Sequence, residues 1–239
     1  MTPAWEVRHV KVLAIGAHPD DVELGCGATI LRHVARGDEV TILVMTNGGL
    51  GTLEGMSRRT EQEAAARQLG ATLRWGGFDD GHVPAGAEAI SVIDDAIAAS
   101  GAEVLYTHSA DDTHQDHRAT AAASIAAGRR LPTILQYESP STLNFLPTVY
   151  VDVDASIDAK LAALRAHLSQ VLRGGPVDLE AVEAQARFRG FQGRVRFAEA
   201  FESTRLGWDL SSPATLAPVV PIDGVREDEP APEPLRSIV

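Results

Sequence analysis

Two short apolar runs with no polar alternation, Val12-Leu13-Ala14-Ile15 and Val40-Thr41-Ile42-Leu43-Val44-Met45, constrain the fold of this chain more than any other feature. A strand with one wet face alternates, whereas a strand covered on both faces reads as a continuous apolar stretch, the mark of parallel sheets sandwiched by helices. Residues 11–17 and 39–45 are predicted to be such strands. Residues 25–36 between them carry a helical apolar side (Ala28, Ile30, Leu31, Val34) that stops at Gly37. The pattern continues with a helix at 58–69 between the caps Ser57 and Gly70 and a strand at 72–78. A helix at 89–99 ending at Gly101, a strand at 103–107, a helix at 114–127 and a strand at 133–137 follow. Such β-α alternation predicts a three-layer α/β/α, Rossmann-like fold on a mostly parallel sheet, with any site at the carboxyl ends of the strands.

Beyond Tyr137 the pattern changes. A strand is expected at 148–153, at an edge or in a small subsheet, followed by helices at 157–172 and 179–191. Residues 1–210 are read as one domain, a size that allows an ample core. Residues 211–239, rich in proline and acid, are read as a disordered or loosely packed tail.

Composition excludes several classes of function. A net charge of −12 and a pI near 5.0 argue against a nucleic-acid partner, which would require a basic stripe. The single cysteine, Cys26, rules out an internal disulfide and a Cys-rich zinc site, and reads as a small residue in a tight turn. No apolar run reaches membrane-spanning length and no secretory leader is evident, so a cytoplasmic location is the default expectation. A homo-oligomer is left open.

The chemistry-bearing residues fall in two clusters. Ala17-His18-Pro19-Asp20-Asp21-Val22-Glu23-Leu24-Gly25 follows the first predicted strand. His18 and Asp21, three apart, can converge on one ion, and a catalytic zinc takes three protein ligands and keeps a position open. Asp20, between them, must point elsewhere, where a general base belongs. The competing reading of this stretch is a turn whose aspartate caps the next helix.

The second cluster, Asp112-Thr113-His114-Gln115-Asp116-His117, sits where a loop becomes a helix, with Asp112 or Thr113 as candidate N-cap. His114 and His117 share a helical face, so one can bind metal while the other stands beside a reacting carbonyl. His114 would need a carboxylate partner, with Asp116 or Asp111 as candidates. A polar helix start with two solvated histidines is the alternative. His82 and His108 are read as rim residues. His9, His33 and His167 are given surface or packing roles, and Trp75, Trp208 and the phenylalanines core roles.

At these clusters, A-H-P-D-D-V-E-L-G-C-G and H-Q-D-H, the sequence resembles the LmbE/PIG-L family of zinc-dependent N-deacetylases. The Glu stands one residue further on than in the A-H-P-D-D-E form, as in bacillithiol-type and related bacterial members. The likeness runs through Arg58-x-x-Glu61, Asp80-Gly81, residues 160–170 and Ala198-Glu199-Ala200-Phe201. It implies zinc, or another divalent ion such as Fe2+, held by His18, Asp21 and His117, with Asp20 as general base. It also implies His114 stabilising the oxyanion, Asp116 orienting a neighbouring histidine, and Arg58 and Asp80 touching substrate. The implied reaction removes acetate from a small N-acetylglucosaminyl conjugate. A non-catalytic metal or sugar binder on the same scaffold and an amidase acting on a non-sugar N-acyl metabolite are the alternatives. A dinucleotide oxidoreductase is disfavoured, because G-x-G-x-x-G is missing after the first strand.

Overall fold

The computed structural model describes residues 8–172 and 177–207. Seven strands, β1 (Lys11–Gly16), β2 (Glu39–Thr46), β3 (Thr72–Phe78), β4 (Val104–His108), β5 (Thr133–Tyr137), β6 (Val149–Asp152) and β7 (Ala198–Leu206), form one sheet in the order β3-β2-β1-β4-β5-β7-β6. The first five pair in parallel, and β7 runs antiparallel to both β5 and β6. The chain travels outward from β1 to β3 and returns to place β4 on the other side of β1. The strand order therefore reverses between β1 and β4, where such sheets open a crevice for ligands.

Strict alternation along the parallel strands divides the core. Val12, Ala14, Tyr106 and Leu135 face helices α1 (Asp21–Ala35) and α2 (Arg58–Leu69), whereas Leu13, Ile15, Leu105 and Ile134 face α3 (Ala87–Ser100) and α4 (Gln115–Ala127). Each large side chain so buried contributes about 1.5–3 kcal/mol relative to exposure. Helices α5 (Ile157–Leu164), α6 (Leu168–Val171) and α7 (Leu179–Gly193) complete the set, with α5 and α7 packed on the outer side of α1 through Leu24, Ala28, Leu161, Leu164 and Ala186. Ser57 accepts from the Thr60 amide and Gly70 adopts a left-handed C-cap, as expected from sequence. No helix among the described residues is long and apolar enough to cross a membrane.

The structure departs from the sequence reading at three places. The helix expected over 157–172 is two, because the backbone at His167 leaves the helical region (φ −83°, ψ 58°). Strand β7 is not among the expected strands, residues 198–201 carrying only the family likeness: it buries Ala198–Phe201 continuously and then emerges into solvent, so no period marks it. Helix α1 starts at Asp21, four residues earlier than expected, and breaks at Cys26 (φ −144°, ψ 17°). The tail at 211–239 and Trp208 lie outside the described residues.

Buried contacts flank the break in α1 on both sides. A Cβ on Gly25 would sit 2.0 Å from the Tyr137 ring, whose hydroxyl donates to the Ile15 carbonyl at 2.7 Å. Across the break, Lys160 Nζ donates to the Leu24 carbonyl at 2.7 Å, ending the first segment. Glu199 accepts from the Ala28 and Thr29 amides at 3.0 and 2.6 Å, starting the second. Lys160 and Glu199 are themselves 2.6 Å apart and buried. Removing one member of such a pair leaves an uncompensated charge, at a cost of about 3–5 kcal/mol. Lys160→Met is therefore expected to lower the unfolding free energy by that amount in urea titrations.

Candidate active site

Five loops at the carboxyl ends of β1 to β5 surround a cavity of about 480 Å³. His18, Asp20, Asp21, Arg58, Asp80, His114 and His117 all line it, so the structure brings seven of the eight residues singled out from sequence to one cavity. Asp116, the eighth, lies buried beside it and bonds to His18.

The first cluster arrives from β1. Asp20 takes a left-handed backbone conformation (φ 92°), a state that non-glycine residues adopt at a cost of about 1–3 kcal/mol and that concentrates at functional sites. This turn separates the two aspartates. Asp21 Oδ2 accepts from the His18 amide at 2.6 Å, and its Oδ1 stands 3.5 Å from His117 Nε2. The Asp20 carboxylate instead meets Arg58, at 3.0 Å. Burial raises the Asp20 pKa to about 6 against the opposing pull of Arg58, with Asp21 adding to the rise. Burial would also raise Asp21, but the neighbouring His117 and His108 hold it well below the usual carboxylate range.

His18 Nε2 lies 3.1 Å from both Asp80 Oδ1 and Asp116 Oδ2, while its Nδ1 lies 3.4 Å from Asp21 Oδ2. These carboxylates overcome burial and raise the His18 pKa to about 11. Asp116 is held by the Gly81 and Val83 amides at 2.8 and 3.1 Å. The histidine it contacts is thus His18, and the expected carboxylate partner of His114 is not found in Asp116. Asp111, the other candidate, bonds to Asn144.

His114 is itself the N-cap of α4, in place of Asp112 or Thr113: its Nδ1 accepts from the Asp116 amide at 3.2 Å. Burial, aided by the charges of His18 and His117, lowers its pKa, and in the neutral ring an Nδ1 that accepts leaves the proton on Nε2. In that form His114 presents an Nε2–H donor at the cavity wall.

Two residues escaped the sequence reading. Asp112 Oδ2 lies 3.1 Å from His117 Nδ1 and is supported by Ser139 and Thr142 hydroxyls at 2.7 and 3.1 Å. This fixes His117 with Nε2 directed to Asp21, in the manner of carboxylates that orient metal-binding imidazoles. Its signal was the five-residue spacing to His117, hidden by its resemblance to a cap. His108, expected at the rim, is fully buried as the last residue of β4. It stacks on His117 at 4.0 Å, and its Nε2 lies 3.0 Å from the Ala17 amide and 3.1 Å from Asp21 Oδ2. Burial, with His117 adding to the effect, lowers its pKa to about 4. His82 is exposed, next to Asp80 and Gly81 of the cavity lining.

Arg58 and Asp80 line the cavity but are bonded to its own residues: Arg58 to the Pro19 carbonyl and Asp20, Asp80 to His18 and the Leu50 amide. Among the described residues, three overlapping donor sets lie within 4.8 Å: His18/His114/His117, Asp21/His108/His117 and His18/Asp80/Asp116. The trio implied by resemblance is not one of them as such, but draws on all three, with Asp21 within 3.5 Å of each partner. Buried imidazoles and a carboxylate of this kind suit a divalent ion such as zinc.

The PIG-L model, described as GlcNAc-PI de-N-acetylase, matches residues 13–128. The uncharacterized deacetylase YaiS of Escherichia coli K12 is 41% identical over 168 residues, covering 66% of this chain and 90% of that one. The chain belongs to the PIG-L family. Among solved structures, the conserved protein TT1542 from Thermus thermophilus superposes with a TM-score of 0.76 at 31% identity, over 87% of this chain and 100% of that one. The N,N'-diacetylchitobiose deacetylase from Pyrococcus horikoshii gives 0.69 at 28% identity, over 81% and 83%. The fold is thus that of PIG-L deacetylases.

Asp112 offers a direct check on the site. Replacing it with alanine frees the His117 ring and is expected to weaken divalent-metal affinity by about 10–100-fold, measured by competition with a chromogenic chelator.

Proposed function

We propose that this chain is a metal-dependent N-deacetylase, with zinc as the fitting ion, acting on an N-acetylglucosaminyl small molecule. The observation that carries the reading is the separation of the adjacent aspartates: Asp21 lies within 3.5 Å of His117 and His18, whereas the Asp20 carboxylate pairs with Arg58 while lining the same cavity. Membership of a family of deacetylases supports the reaction class, and a relative named for diacetylchitobiose supports the sugar.

In this reading His18, Asp21 and His117 hold the ion, which when bound would polarise the acetamide carbonyl and acidify a water. Asp20 takes a proton from that water as its oxygen attacks the carbonyl carbon. A buried carboxyl with a pKa near 6 is matched to such work near neutrality. His114 donates Nε2–H to the developing oxyanion. The C–N bond then breaks, and the proton held by Asp20 passes to the departing nitrogen, giving acetate and a free amine. Asp116 and Asp112 orient His18 and His117 by their ring nitrogens. Arg58 and Asp80 lie close enough to the cavity to touch the sugar while bracing Asp20 and His18.

Deacetylation of N-acetylglucosaminides with varied aglycones, by purified zinc-loaded protein, tests the proposal. Asp20→Ala is expected to lower kcat by about 10²–10⁴-fold and His114→Ala by about 10²–10³-fold. His117→Ala should abolish turnover and zinc binding together. Wild-type turnover in Asp20→Ala or His117→Ala would sink the assignment, and activity confined to non-sugar N-acetyl compounds would replace the substrate class.

A further inference from the structure

The left-handed turn at Asp20 is gripped from a single helix. Arg58 and Gln62 stand one turn apart on α2 and so share a face. Arg58 donates to the Pro19 carbonyl, and Gln62 Oε1 accepts from the Asp20 amide at 3.0 Å. The carbonyl and the N–H belong to one peptide group, so α2 holds both ends of the Pro19–Asp20 linkage.

Neither gripping side chain is free to wander. Gln62 is fully buried, and its other end donates to Glu23 Oε1 at 2.7 Å, which fixes the orientation of the amide. The Arg58 guanidinium lies against two glycines: a Cβ on Gly48 or Gly51 would come within 2.8 or 2.7 Å of its Nη1. A strained φ persists only where its surroundings over-determine it, and these contacts are the ones that act on the strained peptide itself.

We propose that Gln62 is a positioning residue for the hydrolysis: by holding the Asp20 amide it keeps the Asp20 carboxylate turned away from Asp21 and aimed at the attacking water. The proposal rests on Asp20 being the general base. Gln62 reaches the chemistry only through the backbone, with no role in binding metal or substrate. Losing it should therefore misplace the base while leaving the rest of the site intact.

The test is a functional cycle in the full-length, zinc-loaded protein with Gln62→Met, Asp20→Asn and the double variant. Asparagine tolerates the left-handed backbone, so Asp20→Asn removes the base without forcing the turn. Gln62→Met is expected to lower kcat by about 10–100-fold, the cost of a misplacement near 1 Å, with KM and zinc affinity within about twofold of wild type. In the Asp20→Asn background the same substitution should change residual kcat by less than about twofold, because there is no base left to position. In the metal-free protein, hydrogen exchange of the Asp20 amide should be slow in wild type and faster in Gln62→Met. Leu69→Ala, in the core-facing end of α2, controls for destabilisation and should lower the melting temperature with kcat unchanged.

Wild-type kcat in a folded Gln62→Met protein overturns the proposal, as does an equal loss in both backgrounds, which marks a general structural role. Should Gln62→Met fail to fold, Gln62→Asn, with the amide kept but its reach shortened, carries the same comparisons. Wild-type turnover in Asp20→Asn instead removes the assignment of the base, and this proposal with it.

Discussion

The parallel pairing of β1 with β4 is the constraint on which the rest of the molecule depends. Val12, Leu13 and Ala14 lie opposite Val104, Leu105 and Tyr106, so the two strands end side by side. One delivers His18, Asp20 and Asp21, and the other delivers His108 and the loop leading to His114 and His117. Nearly a hundred residues of chain separate the clusters, yet the register leaves them no other place to go. Everything polar in the site follows from that adjacency, including its burden of charge. Four imidazoles and five carboxylates crowd the site: Asp21, Asp80, Asp112 and Asp116 each lie within 3.5 Å of a histidine, and Asp20 is paired with Arg58.

How far the sequence could be read depended on the reach of each signal. Uninterrupted apolar runs identified the buried parallel strands because burial on both faces leaves a composition that no exposed segment shares. The caps Ser57 and Gly70 were legible because their chemistry is local. Strand β7 was not, since its first half is buried against β5 and β6 and its second is open to solvent, leaving no single period. The break in α1 was hidden for the opposite reason. Gly25-Cys26-Gly27 looked like a turn before a helix, and the contacts that flank the break, from Tyr137, Lys160 and Glu199, all come from distant segments.

The same division applies to the candidate site. Residues whose roles come from spacing, such as His18 with Asp21 or His114 with His117, could be picked out from the chain alone. Residues whose roles come from folding could not. Asp112 passed for a cap, and His108 for a rim residue because the strand before it seemed to stop one residue sooner. Gln62 carries no motif at all: an amide on the buried face of a helix says nothing until its partners are known. Arg58 and Asp80 show the converse, since residues read as facing a ligand turn out to be engaged with Asp20 and His18 as well.

The interruption in α1 has an electrical side. A continuous helix of fifteen residues would present the positive end of its summed peptide dipoles beside Asp20 and Asp21. A cation at that point would be opposed by the field. Because the helix stops and restarts, the longer part begins at Ala28 and discharges its positive end on Glu199. The short first segment carries only a fraction of the opposing potential. A deformation that looks like a packing accommodation to one tyrosine thus also makes the end of β1 a more hospitable place for positive charge.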